Sequence, residues 1–192
     1  ANREQSPAGA ASELFDQAIY GADSPMGKVW KPEVIVQINR EEMVALHRAE
    51  ITPDNMTVFM IGDIGIDEAT KSVNKAFGRW DAKRTSEKQL IGSAAEKRAR
   101  GILVDYPGAE SSVVYGGHAI APYDATTWTE ISTMNRVIGG SFESRLNMNL
   151  REDKGWSYGF RSGIMPNASG DMRFVASGQV QTDKTAPSMQ EA

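Results

Sequence analysis

The stretch Leu150-Arg151-Glu152-Asp153-Lys154-Gly155-Trp156-Ser157-Tyr158-Gly159 sets an arginine and a tyrosine on either side of a glycine. Arg151 falls in the last turn of an expected helix, and Tyr158 on the strand that returns after Gly155. A tight turn at the glycine would bring a guanidinium and a phenol to one place. Both are hydrogen-bond donors, and two donors aimed at one carbonyl oxygen stabilise an oxyanion. The same residues also have a purely structural reading. Arg151 complements the negative end of the helix dipole, and Tyr158 covers a sheet face. Spacing alone favours that second reading.

Two glycine-containing turns are further candidates. Gly139-Gly140-Ser141 precedes a helix, where free amides attract anions or carbonyl oxygens; a glycine pair between helices also serves as a simple C-cap and turn. Gly62-Asp63-Ile64-Gly65 follows an apolar run, but it lacks the third glycine of a dinucleotide fingerprint and Asp63 would repel a pyrophosphate. It reads as a turn. The only histidines, His47 and His118, form neither His-x-x-x-His nor His-x-x-Glu-His. Glu42 and Glu50 flank His47, yet one imidazole with exposed carboxylates is a poor zinc set. Both histidines read as surface residues, and no metal site is expected in this chain.

The elements that would position these residues follow from capping and periodicity. A first helix is expected from Ser12, with Leu14, Phe15, Ala18 and Ile19 on one face and Gly21 as its stop. Residues 21–32 read as an exposed loop. Asn39 and Glu42 form a capping box for a second helix reaching Glu50. Met56–Ile61 reads as a buried strand, and Asp67 as the cap of a third helix stopped by Gly78. Residues 82–100, rich in Lys, Arg, Glu, Ser and Ala, read as a solvated linker between domains. Strands are then expected over Gly101–Asp105 and Ser112–His118. A helix capped by Asp124 carries Trp128, Ile131, Met134 and Val137, and another runs from Ser141 to Lys154. A pair of strands follows over Trp156–Met165 and Arg173–Val180, around Pro166-Asn167. A last helix starts at Thr182 and reaches Ala192 without a stop signal, so the chain reads as a segment of something longer.

Composition limits the function classes. Of 192 residues 40% are hydrophobic, enough for a real core. A net charge of −4 argues against a nucleic-acid surface. The absence of cysteine excludes disulfides, thiolate metal sites and a cysteine nucleophile. Met56–Ile61, the longest apolar run, is far too short to span a bilayer, which takes about 20 residues. Nothing near Ala1 resembles a signal peptide, which carries no weight if the chain is a segment. Compartment stays open, with a bacterial exported or periplasmic placement favoured over the cytoplasm.

Taken in order, several short stretches resemble the M16 metallopeptidases, the group of pitrilysin, insulin-degrading enzyme and mitochondrial processing peptidase. They are Tyr20–Gly27, Thr52–Met56 running into Ile61-Gly62-Asp63, Phe77–Trp80, Tyr106–Ser112, Ile138–Leu146, Leu150–Gly159 and Val180–Thr185, covering about residues 12–192. The resemblance implies an α+β fold, a two-layer α/β sandwich with a mainly antiparallel sheet of the LuxS/MPP-like metallohydrolase type. It also implies that residues 1–81 close a first domain, 82–100 form the linker and 101–192 open a second.

In that family the first domain carries His-x-x-Glu-His and a distal glutamate around zinc, and this chain has no such motif. The second domain offers an arginine and a tyrosine to the substrate carbonyl, and Arg151 and Tyr158 match that pair. Gly139, Gly140 and Ser141 sit where processing peptidases place a glycine-rich substrate loop, in a much shorter version. The implied function is therefore the non-catalytic, substrate-cradling part of a zinc peptidase. Its partners would be a peptide substrate and a zinc-binding half supplied in cis or in trans. Zinc belongs to the complete enzyme and not to this chain. Pairing with a second copy is a further expectation, through the strand edge at Met56–Ile61. A different class remains open: a degenerate scaffold or interaction subunit of the same fold with no peptidase role. A small anion-binding module at Gly139–Ser141 is the third reading.

Overall fold

The computed structural model describes residues 6–85, 99–166 and 171–192. The chain divides into two compact units, one drawn from residues 1–29 and 90–192, the other from residues 30–89.

The first unit is built on a three-stranded antiparallel sheet. Its strands are β1 (Ser111–Ile120), β2 (Ser157–Pro166) and β3 (Met172–Gln181), in the order β1-β3-β2. β1 pairs with β3 in unbroken register from Ser111 opposite Gln181 to Ile120 opposite Met172. Two helical segments cover one face. Trp128–Asn135 (α5) widens into a π turn over Arg136–Gly140, and Arg145–Asn147 (α6) widens into another over Met148–Asp153. The helix expected from Ser141 therefore starts later, after an extended Ser144. Leu146, Leu150, Phe160 and Val180 form the buried core, with Val114, Ile138, Trp156 and Ala176 packed around it. Removing Leu150, Phe160 and Val180 from water contributes about 1.5–3 kcal/mol per side chain. A short helix, α7 (Thr185–Glu191), follows a tight turn at Thr182–Lys184.

The helix α1 (Pro7–Tyr20) also belongs to this unit. It begins before the expected Ser12, because the Ser6 hydroxyl accepts the Gly9 amide at 3.0 Å and Pro7 suits a first helical position. Phe15 meets Tyr115 with ring centroids 5.6 Å apart, and Asp16 pairs with Arg173 of β3. Adjacent strand residues point to opposite faces. Val114 packs in the α6 core and Tyr115 against α1, so α1 lies on the other face of the sheet from α6.

Among its described residues the second unit holds α2 (Pro32–Ile35), α3 (Arg40–Glu50) and α4 (Ile66–Phe77), with a 3-10 turn at Pro53–Asn55. The capping box at Asn39 forms as expected: Asn39 Oδ1 accepts the Glu42 amide at 2.9 Å and Glu42 accepts the Asn39 amide at 3.2 Å. α4 begins after Gly65, not at Asp67, which sits inside its first turn. Arg84 reaches Glu50 at 3.0 Å.

The α+β class with an antiparallel sheet stands. Two expected strands do not form. Met56–Ile61 and Gly101–Asp105 pair with no strand among the described residues. Phe59 is 85% and Leu103 is 92% exposed, so neither run is buried. An apolar run becomes a strand only where a neighbour takes its backbone hydrogen bonds, and no described segment does so for these two. Most of the expected linker, residues 86–98, and Asn167 of the expected turn lie outside the described residues.

Candidate functional site

Arg151 lies in the π turn that ends the α6 segment, and Gly155 reverses the chain into β2. The reversal needs the left-handed backbone of Gly155, at φ 64°, which a side chain would strain. It is closed by the Lys154 amide donating to the Asn149 carbonyl at 3.0 Å, Gly155 to Arg151 at 3.1 Å and Trp156 to Leu150 at 2.9 Å. π turns of this kind concentrate at functional sites.

β2 then opens with a bulge. Ser157 stands opposite Val180, but Phe160 stands opposite Gly178, so one extra residue is accommodated between them. Ser157 shapes the bulge. Its hydroxyl donates to the Gln179 carbonyl at 2.7 Å and accepts the Gly159 amide at 3.0 Å. A bulge re-aims the side chains it carries. Tyr158 is thrown outward, 95% exposed, while Phe160 is buried. Tyr158 makes no hydrogen bond among the described residues. Arg151 is partly exposed, pairs with Glu152 at 3.2 Å and lies over the Phe142 ring at 4.6 Å from its centroid. Neither residue is committed to the core. What the structure brings together is their anchoring segments, the π turn and the bulge it feeds.

The glycines of the other candidate differ from one another. Gly139 is buried, and a Cβ there would lie 2.4 Å from the Ser162 amide nitrogen. Only glycine lets the π turn sit so close to β2. Gly140 is exposed, and Ser141 is half-buried with its hydroxyl donating to the Arg136 carbonyl at 3.2 Å. This stretch closes a helix against the sheet, and α6 starts only after Ser144.

Two residues not singled out by sequence organise the site. Asn147 is fully buried; its Nδ2 donates to the Phe142 carbonyl at 2.7 Å and its Oδ1 accepts the Phe160 amide at 3.3 Å. It therefore ties the loop before α6 to the strand just past the bulge. Asn135 does the same for α5, accepting the Ser162 hydroxyl at 2.8 Å. An asparagine at a position that the helical period turns inward was the available signal for Asn147, since a buried amide requires partners.

Neither histidine joins this site. His47 is on α3 in the second unit; His118 is exposed on β1, its Nδ1 3.0 Å from the Ala119 carbonyl and its ring 6.0 Å from Phe174. Among the described residues no three His, Asp or Glu side chains group to hold a metal. A groove of about 790 Å³ lies elsewhere, between α1, residues 99–106 and the outer strand β1.

Residues 37–192 match the family described as "Peptidase M16 inactive domain". A Bacillus subtilis protein named "Uncharacterized zinc protease YmxG" is 28% identical over 166 residues, spanning 81% of this chain and 37% of that protein. The chain thus spans little more than a third of the curated relatives it matches. A crystal structure of a peptidase M16 inactive domain from Pseudomonas fluorescens superposes with a TM-score of 0.81 at 19% identity, over 98% of this chain and 45% of that one. The periplasmic protease PqqL of Escherichia coli superposes with a TM-score of 0.71 at 15% identity, over 98% of this chain and 21% of that one. With a family match across most of its length and the same fold in solved relatives, the chain belongs to the M16 peptidase family, in the region described as its inactive domain.

Proposed function

We propose that this chain is the substrate-cradling part of an M16 zinc peptidase, in which Arg151 and Tyr158 donate hydrogen bonds to the oxygen of the scissile carbonyl. The observation that carries this reading is Tyr158. A phenol 95% exposed, raised by a bulge and unpaired among the described residues, does no packing work. Arg151 enters from the adjoining π turn with N–H donors to spare beyond its contact with Glu152. Donors that reach the oxygen of a scissile carbonyl stabilise the charge that develops on it in the transition state. Gly139, Gly140 and Ser141 hold the floor of the cradle, with Gly140 the residue free to meet a peptide backbone.

On this reading the zinc and its ligands come from a segment outside this sequence or from a partner chain, because the sequence has no His-x-x-Glu-His and the described residues group no three His, Asp or Glu side chains. On this reading the chain is the tail of one M16 domain, a linker at 82–100 and the front of a second. The partners are a peptide and the zinc-binding half. The likeness to a periplasmic protease supports placing this protein outside the cytoplasm as well; no helix among the described residues is long and apolar enough to cross a membrane.

The test is turnover by the assembled peptidase. Tyr158→Phe should lower kcat on the order of 100-fold with fold and metal content unchanged. Arg151→Ala should act in the same direction. If both variants cleave at the parent rate, the degenerate-scaffold reading replaces this one.

A further inference from the structure

Phe142 carries two guanidiniums and not one. Arg151 lies 4.6 Å and Arg161 5.7 Å from the centroid of its ring. The ring is half-exposed, at the loop that leads into α6. Its backbone is fixed from below, because the buried Asn147 amide holds the Phe142 carbonyl at 2.7 Å. Arginine over an aromatic face is attracted to the ring quadrupole and keeps its N–H edge free for ligands.

The two arginines differ in charge balance. Arg151 has Glu152 at 3.2 Å. Arg161 pairs with no carboxylate among the described residues, and it is exposed on β2 between the buried Phe160 and Ser162. Two guanidiniums on one ring, one of them without a carboxylate among the described residues, concentrate positive charge on a chain of net charge −4. Like charges gathered on one platform repel, and an anion between or above them relieves that repulsion. The guanidinium fork matches a carboxylate bidentately. Arg161 also follows Tyr158 on the same strand, within reach of a peptide that meets Tyr158 on the proposed reading.

We infer that Arg161, together with Arg151 on the Phe142 platform, binds a peptide carboxylate close to the scissile bond and gives this protein a preference for acidic substrates. This rests on the peptide-cradling reading and adds the substrate class. The carboxylate has two sources, an Asp or Glu side chain or the peptide's own C-terminus. Arg161 acts here as a specificity-determining residue and takes no part in the bond cleavage.

The test is peptide binding to the intact protein that carries this chain, stripped of zinc so that no turnover intervenes. Fluorescent peptides would carry Glu or Gln at one position near the scissile bond, each with a free or an amidated C-terminus. The expected result is at least about tenfold tighter binding of either the Glu peptide or the free-terminus peptide, whichever supplies the carboxylate. Arg161→Gln should reduce that preference to near unity, and raising the salt should weaken it. Arg161→Lys, which keeps the charge and loses the fork, should retain a smaller preference and serves if the glutamine variant unfolds. Equal affinity for all four peptides overturns the inference, as does a preference that survives Arg161→Gln. Failure of the catalytic reading looks different: Tyr158→Phe turns over at the parent rate whatever the binding preference.

Discussion

Replacing Asn147 by alanine strikes the joint on which the site depends. The side chain is wholly buried and makes two hydrogen bonds, to the Phe142 carbonyl and from the Phe160 amide. The two losses are unequal. The Phe160 amide is buried and is left without its partner, at a cost of about 1–3 kcal/mol. Phe142 is half-exposed, so its carbonyl rehydrates and the loss there is about 0.5–1 kcal/mol. The vacated volume beside Leu146 and Phe160 adds a cavity cost. Together these give about 2–4 kcal/mol, a large part of the roughly 5–15 kcal/mol available to a domain. Urea unfolding of the protein checks this: the midpoint should fall with the slope unchanged. Asn147→Asp discriminates further. It keeps the acceptor for Phe160, loses the donor to Phe142 and buries a carboxylate, so its deficit should shrink as pH falls and the group is protonated. A deficit under about 0.5 kcal/mol for the alanine variant would refute the clamp, since hydrogen bonds to a buried amide cannot be lost so cheaply.

Further outcomes follow from the same packing. Gly139→Ala should destabilise by about 1–3 kcal/mol, because its Cβ would fall 2.4 Å from the Ser162 backbone nitrogen and side-chain oxygen; thermal unfolding reads this directly, and a neutral effect would show that the π turn can shift. Asp16→Ala leaves Arg173 without its carboxylate against Phe15 and Tyr20, in a position where burial already lowers the guanidinium pKa; α1 should lose hydrogen-exchange protection before the sheet does, and uniform protection would contradict the arrangement. Hydrogen bonding from Asn149, and then Lys154, holds the Glu191 carboxyl below its ordinary range. Its folded pKa is depressed, so the stabilisation is present above the unfolded value and is lost as pH falls through the folded one. Protection factors of the α7 amides, corrected for the intrinsic pH dependence of exchange, should therefore fall on acidification below the ordinary carboxylate range, and Glu191→Gln should remove that dependence.

Sequence reading found the elements that carry their own signals. The Asn39 capping box is local, involving two side chains and two amides, and it formed as written. The paired strands after Gly155 were equally legible, because Gly155 marks the turn and apolar alternation marks the strands. Met56–Ile61 and Gly101–Asp105 failed for the opposite reason: their composition suits strands, but strandedness depends on a neighbour that no local pattern reveals. The site divides the same way. Arg151 and Tyr158 stand as candidates from spacing and a family resemblance, whereas the bulge that exposes Tyr158 comes from Ser157 reaching across to Gln179, a long-range contact. Arg161 and Phe142 are far apart along the chain, and only the fold puts one over the other.

The central claim is that Arg151 and Tyr158 act on one oxygen. A double-mutant cycle in the assembled peptidase, read by single-turnover cleavage of one peptide, tests it most directly. Two donors to the same developing charge are coupled, so Arg151→Ala and Tyr158→Phe should each cost on the order of 100-fold. Together they should cost clearly less than the product of the two. Parent-rate cleavage in either single variant, or losses that multiply without coupling, would contradict a shared oxyanion site.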